Sequence, residues 1–453
     1  MTGAMAIPVK SDFARARPAP PERVRLAAGA ATPRVTIALY GELTHDRRVQ
    51  REATTLARAG YKVTIAALGS DSANQMNDRE ENIRVVSWEP GASKVLPGAW
   101  SPFRPEEAGL DVGEPGRGGR GGRLGWFAAY ARNLRSWGRW AVRSAGDTDV
   151  WHAVDLTGLA ALGLAGIGPR ARLVYDSHEL FLESGSAARM PKPARWALGR
   201  VERRLARRAD AVVTVNLSIA DELARRYGVE SAVVMNCPLF SDVRRPGLMR
   251  ARLGLGERPV LIHHGHLSDG RGIGHTIEAL RLLPPEVALV LLGDGPLVPW
   301  IREQQDRPEL SGRLFWHPAV ALGELLSWVV DADLGLMLFE PTELNFVYAT
   351  PNRLFDCVVA GVPVVASDFP EFRRVVEGEG MGAVCDPTDD RAIAQAVARL
   401  LAAPDRLAEM QSRARDAGRT RYNWDAQASR LIDVYRRVVP IGAGDERAAQ
   451  GGA

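Results

Sequence analysis

The chain has 453 residues, 46% hydrophobic and 25% charged, which is ordinary globular composition and excludes wholesale disorder; its length suits two or three domains. Three cysteines (Cys237, Cys357 and Cys385) are too few and too scattered for a disulfide framework or a thiolate zinc site, so a reducing cytoplasm is expected. The net charge is only +4, yet four lysines among 58 basic residues leave 54 arginines, a bias that a GC-rich genome explains for most and phosphate recognition for a few.

Residues 1–33 read as a disordered lead-in rich in Pro, Ala and Arg, with no apolar h-region. Order begins with the β-rich run Arg34–Tyr40, then Gly41-Glu42, then a helical pattern over Arg47–Ala59 that Gly60 closes, then a second strand over Tyr61–Leu68. A strand, a helix and a strand within about 30 residues form a parallel crossover. Further strands are predicted at Ile83–Trp88, Asp149–His152, Arg172–Tyr175 and Ala211–Val215, giving a doubly wound sheet over the first half. Between them, Gly113–Arg123 reads as a Gly/Arg/Pro loop. In the helix that follows, Leu124, Phe127, Ala131, Leu134, Trp137 and Ala141 recur at helical spacing, with Arg132, Arg135, Arg139 and Arg143 on another face. Such a helix either packs its stripe on the sheet or lies on an anionic membrane. At the end of one strand, Tyr175-Asp176-Ser177-His178-Glu179 sets a histidine among carboxylates, suited to positioning a substrate hydroxyl.

A break dense in Pro, Gly and Arg at Pro238–Gly254 precedes a second alternating series. Its strands are predicted at Pro259–His264, Val287–Leu292, Arg313–Trp316, Leu334–Leu338, Val362–Ala366 and Gly382–Cys385. Its helices include Gly274–Leu283, Gly323–Val330 and Pro351–Ala360. Directly after the first of these strands, the turn Gly265 to Gly272 (Gly-His-Leu-Ser-Asp-Gly-Arg-Gly) lets backbone approach a diphosphate, with Gly265, His266 and Gly270 lining it and Arg271 supplying charge. His263, His264 and His266 alternate across a strand and cannot converge simply on a metal, so none is expected. The strongest local signal is the block from Pro351 to Ala366. Pro351, Asn352 and Leu354 open a helix whose free N–H groups, with Arg353, form an anion site; Asp356, one turn on, suits sugar hydroxyls. Two α/β series imply an α/β protein of two Rossmann-like domains facing a cleft, with ligands beyond the carboxyl ends of the strands.

Taken together, these stretches resemble glycosyltransferase family 4, which has the two-domain GT-B architecture. They include Asp46 to Glu52, Val174 to Leu180, Val201 to Val212, Gly265 to Gly272, Val290 to Pro296, Ala332 to Leu336, Pro351 to Ala366 and Asp386 to Asp389, and span about Arg34 to Arg437. The resemblance implies domains over 34–240 (acceptor) and 241–420 (donor) and a helix over 421–440 returning to the first domain; the composition of 441–453 reads as a disordered tail. It implies metal-independent, retaining transfer of a sugar from a UDP- or GDP-linked donor to a glycan, lipid-linked or small-molecule acceptor, with no cofactor. Arg271 falls where the family places a diphosphate-binding lysine. Asp356 matches the second carboxylate of the family's Glu-x7-Glu motif, and His178 a histidine that contacts the donor sugar. The first motif glutamate falls on Tyr348, with Glu340 and Glu343 nearby, and His266 stands where an arginine is usual. Glycan, polysaccharide or glycolipid synthesis in the cytoplasm, with peripheral contact at the inner membrane face left open, is the expected setting. A sugar-nucleotide-binding protein without turnover and a sugar-nucleotide epimerase are the alternatives. Nucleic acid is not an expected partner, because the basic residues are spread along the chain and form no recognition module.

Overall fold

A computed structural model describes residues 32–69, 82–89, 120–243 and 245–439. The predicted lead-in up to residue 31, the tail and the Gly113–Gly119 part of the loop lie outside the described residues. Short apolar runs make the strands, and each sheet is wholly parallel. The first contains β1 (Arg34–Glu42), β2 (Lys62–Leu68), β3 (Ile83–Trp88), β4 (Val150–Val154), β5 (Arg172–Ser177), β6 (Ala211–Thr214) and β7 (Ser231–Val233). Their order is β3-β2-β1-β4-β5-β6-β7. The second contains β8 (Val260–His264), β9 (Ala288–Leu292), β10 (Leu314–His317), β11 (Leu334–Met337), β12 (Val364–Ser367) and β13 (Gly382–Cys385), in the order β10-β9-β8-β11-β12-β13. Strand order reverses between β1 and β4 in one sheet and between β8 and β11 in the other. Ligands of open parallel sheets bind at such points, beyond the carboxyl ends.

Three expectations are revised. Strand β7 was not predicted, since Ser231–Val233 is three residues long and pairs only through Val212, Val213 and Thr214. Strand β1 runs on through Gly41 and Glu42, so these two residues end the strand rather than follow it. The helix expected after residue 123 already begins at Arg120. In that helix Leu134, Trp137 and Ala141 are buried in one core cluster with Trp151, Leu159 and Tyr175, while Ala131 is exposed. Gly138 allows the close approach: a Cβ there would stand 2.3 Å from the Ala161 carbonyl oxygen. These three residues therefore cover the sheet and are not open to a bilayer, whereas Arg132, Arg135, Arg139 and Arg143 face outward. The side chains of Leu124 and Phe127 are not among those described.

The Trp424–Val438 helix crosses back and completes the first domain's core. Trp424, Ala428, Leu431 and Tyr435 are buried with Val35, Ile37, Val49 and Leu56, and the Trp424 indole N–H donates to Thr55 Oγ1 at 2.9 Å. The two domains also meet directly. Asn216 Nδ2 donates to the Tyr348 carbonyl at 2.7 Å, and the Ser218 N–H to Glu371 at 2.8 Å.

The buried docking of the Arg120–Ala145 helix gives a contrast to test. Trp137→Ala should lower unfolding free energy by about 3–5 kcal/mol, while Arg139→Ala on the outer face should stay within about 0.5 kcal/mol. Urea unfolding distinguishes the two; equal effects would contradict this packing.

Candidate functional site

The first domain brings a histidine and a buried charge network to the carboxyl ends of β1, β4 and β5. The helix Arg47–Arg58 is capped by Asp46, whose side chain accepts from the Val49 N–H. Its inward face carries Arg48 and Glu52, one turn apart and both almost inaccessible to solvent. Arg48 grips Asp176 with two parallel bonds, Nε to Oδ2 and Nη2 to Oδ1, each 2.9 Å, and donates from Nη1 to the Val234 carbonyl at 2.6 Å. Its Nε also lies 3.0 Å from Glu52. Asp176 Oδ2 in turn holds His178 Nε2 at 2.8 Å. The His178 backbone N–H donates to Asp155 Oδ1 at 2.9 Å. Asp155 sits at φ 51°, a left-handed conformation that costs a non-glycine residue energy and that clusters at functional sites.

Burial alone would lower the pKa of His178. Asp176, Asp155 and Asp46 outweigh it and raise the imidazole to about 10, so His178 is a cation at neutral pH. Burial pushes Asp155 up to about 7 against the pull of His178. It pushes Glu52 to about 7 as well, against Arg48. Asp176 is instead held well below the usual carboxylate range, because Arg48 and His178 overcome its burial. Behind this row, His152 Nδ1 shares a 2.8 Å hydrogen bond with the Tyr435 hydroxyl of the returning helix. Among the described residues, Glu52, His152 and Asp176 form the one group of metal-ligating side chains within mutual reach. The Arg48 guanidinium already supplies the positive charge between its two carboxylates.

The second domain contributes cations. The turn after β8 crosses close to β11: Gly272 has φ 66°, and a Cβ there would come within 2.1 Å of the Leu338 carbonyl oxygen. This position needs glycine, and it sets Arg271 beside the sheet end. Arg271 Nε donates to Ser268 Oγ at 3.1 Å. Pro351 caps the helix Asn352–Ala360, whose second residue, Arg353, is buried. Both guanidinium groups lie over the Phe339 ring, Arg271 at 5.6 Å and Arg353 at 4.6 Å from its centroid. Arg353 Nη1 approaches His263 Nε2 at 2.5 Å, while its Nε and Nη2 are buried without a hydrogen-bond partner. Burial and then the Arg271 charge lower the Arg353 pKa to about 9, and burial lowers that of Arg271. His263 is held well below its ordinary value, first by burial and then by Arg353, and is neutral.

The structure thus brings Arg271 and Arg353 together at one sheet end, with Gly270 buried beneath them and Gly265 and His266 exposed at the rim. Pro351 is half-buried and Asn352 exposed at the start of the helix. Leu354 departs from the expectation: helical phase turns it into the second domain's core, so it supports the site and does not line it. Asp356 Oδ2 lies 3.3 Å from His264 Nε2, and its charge also acts on Arg47 and Arg51 of the first domain. Gly41 and Glu42 end β1, with Glu42 exposed. Tyr348 packs partly against the first domain's core. Of its two acidic neighbours, Glu343 accepts from the Gly185 N–H across the cleft at 3.2 Å, while Glu340 helps line a cavity of about 480 Å³ with Asp269, His275, Trp300 and Asp390. Asn345 bonds both the Leu180 N–H and Glu179, tying the loop after His178 to the second domain. Sequence reasoning missed His152 and Asp155, and it named Arg48 and Glu52 only within the Asp46–Glu52 stretch, without their partners. The available signal was a pair of opposite charges at i and i+4 on an otherwise apolar helix face.

Residues 45–239 match the model of the glycosyl transferase 4-like domain and residues 258–403 that of glycosyl transferases group 1. Among characterised relatives, the chain is 28% identical over 317 residues to the D-inositol 3-phosphate glycosyltransferase of Xylanimonas cellulosilytica, covering 66% of this chain and 74% of that protein. It is 27% identical over 291 residues to a GDP-mannose-dependent phosphatidylinositol monomannoside mannosyltransferase of Mycobacterium tuberculosis, covering 61% and 74%. Among solved structures, HepE of Anabaena in complex with UDP superposes with a TM-score of 0.64 at 17% identity, covering 89% of this chain and 99% of that one. The sucrose-phosphate synthase of Thermosynechococcus elongatus superposes with a TM-score of 0.65 at 17% identity, covering 90% and 99%.

The charged state of His178 makes a pH prediction. A folded-state pKa of about 10 against an ordinary 6.5 contributes stability that is complete below pH 6.5 and lost as pH rises through 10. Urea midpoints at pH 7 and pH 10 should therefore converge in His178→Gln relative to the native chain. An unchanged difference would remove His178 from this network.

Proposed function

Since the chain belongs to the glycosyltransferase 4 family of GT-B enzymes, we propose that it transfers a sugar from a nucleoside diphosphate sugar to an acceptor hydroxyl with retention of anomeric configuration, without metal or cofactor. The observation that carries this reading is the pair of cations around Phe339. A buried guanidinium with two unpartnered nitrogens and a second cation beside it leaves positive charge that no carboxylate among the described residues neutralises. An anion of high charge density answers it, and the turn Gly265–Gly272 with the start of the Asn352–Ala360 helix supplies the N–H groups such an anion uses.

In the reaction, the bond from the anomeric carbon to the diphosphate oxygen breaks as charge builds on the leaving group. Arg271 and Arg353 meet that charge in a site of low dielectric, where fixed cations act more strongly than in water. The acceptor hydroxyl attacks from the leaving-group face, and its proton passes to the departing diphosphate oxygen. No second carboxylate at hydrolase spacing is then required. His178, a cation fixed from behind by Asp176, is a positioning donor to the sugar hydroxyls rather than a base. The links from Glu343 and Asn345 join the loop at 179–185 to the second domain, and closure of the cleft over the donor would exclude water.

A UDP- or GDP-linked donor and a glycan, lipid-linked or small-molecule acceptor, used in glycan, polysaccharide or glycolipid synthesis in the cytoplasm, complete the proposal. It is supported by the relatives' use of an inositol phosphate and of a phosphatidylinositol mannoside with GDP-mannose, as their names state.

Arg271→Ala and Arg353→Ala should each reduce transfer at least tenfold, the loss of a charge-assisted bond worth about 1.5–3 kcal/mol. A thermal-shift panel of UDP, GDP and ADP identifies the donor base and should lose its response in both variants. Native rates in the variants would reject the site. Transfer should persist in EDTA; activity lost in EDTA and restored by a divalent cation would reject metal independence.

A further inference from the structure

The helix Lys192–Ala206 has two unlike faces. Its one acidic residue, Glu202, points inward, where it accepts from the hydroxyls of Tyr175 at 2.8 Å and Tyr227 at 2.7 Å. Ala206 is buried beside it, and Leu205 meets Gly163 of the neighbouring helix Asp155–Ala165. The outward face, with the turn that continues it, carries Lys192, Arg200, Arg203, Arg204, Arg207 and Arg208, all exposed. At 100° per residue these six span about half the helix circumference. None has a carboxylate partner among the described residues. Arg207 bonds only the Tyr227 carbonyl, and Arg195, at the edge of the face, turns to Glu183. Some surface arginines elsewhere are paired, as Arg225 and Arg226 are with Glu222, and Arg373 with Asp368; what sets this face apart is that its cations are joined by exposed apolar groups.

Large apolar groups are exposed on this helix and on its neighbour Asp155–Ala165. Trp196 is 65% exposed with the Arg200 guanidinium 5.0 Å from its ring centroid, and Val201 and Leu164 are 46% and 45% exposed. We propose that this face is a docking surface for an anionic lipid bilayer. Unpaired cations answer the headgroup charge, while an exposed indole and aliphatic groups beside them suit the headgroup–acyl boundary and would gain nothing from a soluble polyanion. The helix follows the loop at 179–185 after one short helical turn (Gly185–Ala188), and Leu182 of that loop packs 3.5 Å from the position of a Cβ on Gly199. The start of the helix, with Lys192 and Trp196, therefore adjoins the rim of the cleft. Delivery of a membrane-borne acceptor to that rim rests on the transferase reading; docking itself does not.

Co-sedimentation of the full chain with sucrose-loaded vesicles tests the surface without any activity assay. The native chain should pellet with vesicles of equal parts phosphatidylglycerol and phosphatidylcholine, should not pellet with phosphatidylcholine alone, and should be released by salt. The variant R203E/R204E/R208E should bind at least tenfold more weakly, and W196S several-fold more weakly at an unchanged melting temperature. The variant R132E/R135E/R139E, on the outer face of the Arg120–Ala145 helix, should pellet as the native chain does. Undiminished pelleting of the first variant, loss of pelleting confined to the last, or a duplex DNA mobility shift with no pelleting would overturn the proposal.

Discussion

The bidentate pair between Arg48 and Asp176 organises the first domain. Both groups are taken almost wholly out of water, a step whose cost is recovered only when geometry and further hydrogen bonds are good. Here Arg48 also donates to Val234, Asp176 also holds His178, and Glu52 adds a neighbouring charge without a hydrogen bond, so one guanidinium joins a helix, the end of β5 and the segment after β7. The catalytic-side histidine inherits its orientation from this pair. Its ring can turn only as far as a carboxylate clamped from behind allows.

The second domain is arranged on the opposite principle. There, charge is left unneutralised: Arg353 is buried with a neutral histidine and a phenyl ring for neighbours, and a second arginine shares the ring. Such an arrangement costs stability in the free protein, and the cost is offset by whatever anion enters. The two domains thus divide the work between a network in which cations face carboxylates, which fixes geometry, and a pair of cations without a carboxylate partner among the described residues, which fixes the ligand's charge.

Much of this was readable from sequence because parallel strands buried on both faces are short apolar runs. All six strands of the second sheet fell within a residue or two of their expected positions. Strand β7 escaped because three residues give no periodicity, and it exists only by pairing with β6. The stripe containing Trp137 was ambiguous for a sharper reason. An amphipathic helix shows the same spacing whether it faces a sheet or a bilayer, and only the fold reveals that Ala161 and Trp151 are already there. The Gly265–Gly272 turn and the Pro351 helix start were legible because their chemistry is local. The contacts of Arg48 with Asp176, 128 residues away, and of His152 with Tyr435, 283 away, were not. Leu354 shows the converse error, in which a motif position was taken for a ligand contact when helical phase sends it to the core.

The returning helix has a consequence for how the protein is made. Leu431 and Tyr435 fill the core of a domain whose first strand begins at Arg34, so the two contributions leave the ribosome with the entire second sheet between them. Domains generally fold as units, earliest first, during synthesis. This first domain lacks a wall of its core, and the Tyr435 hydroxyl behind His152, until the last segment emerges. Nascent chains stalled before residue 424 would carry the second domain complete and the first one open.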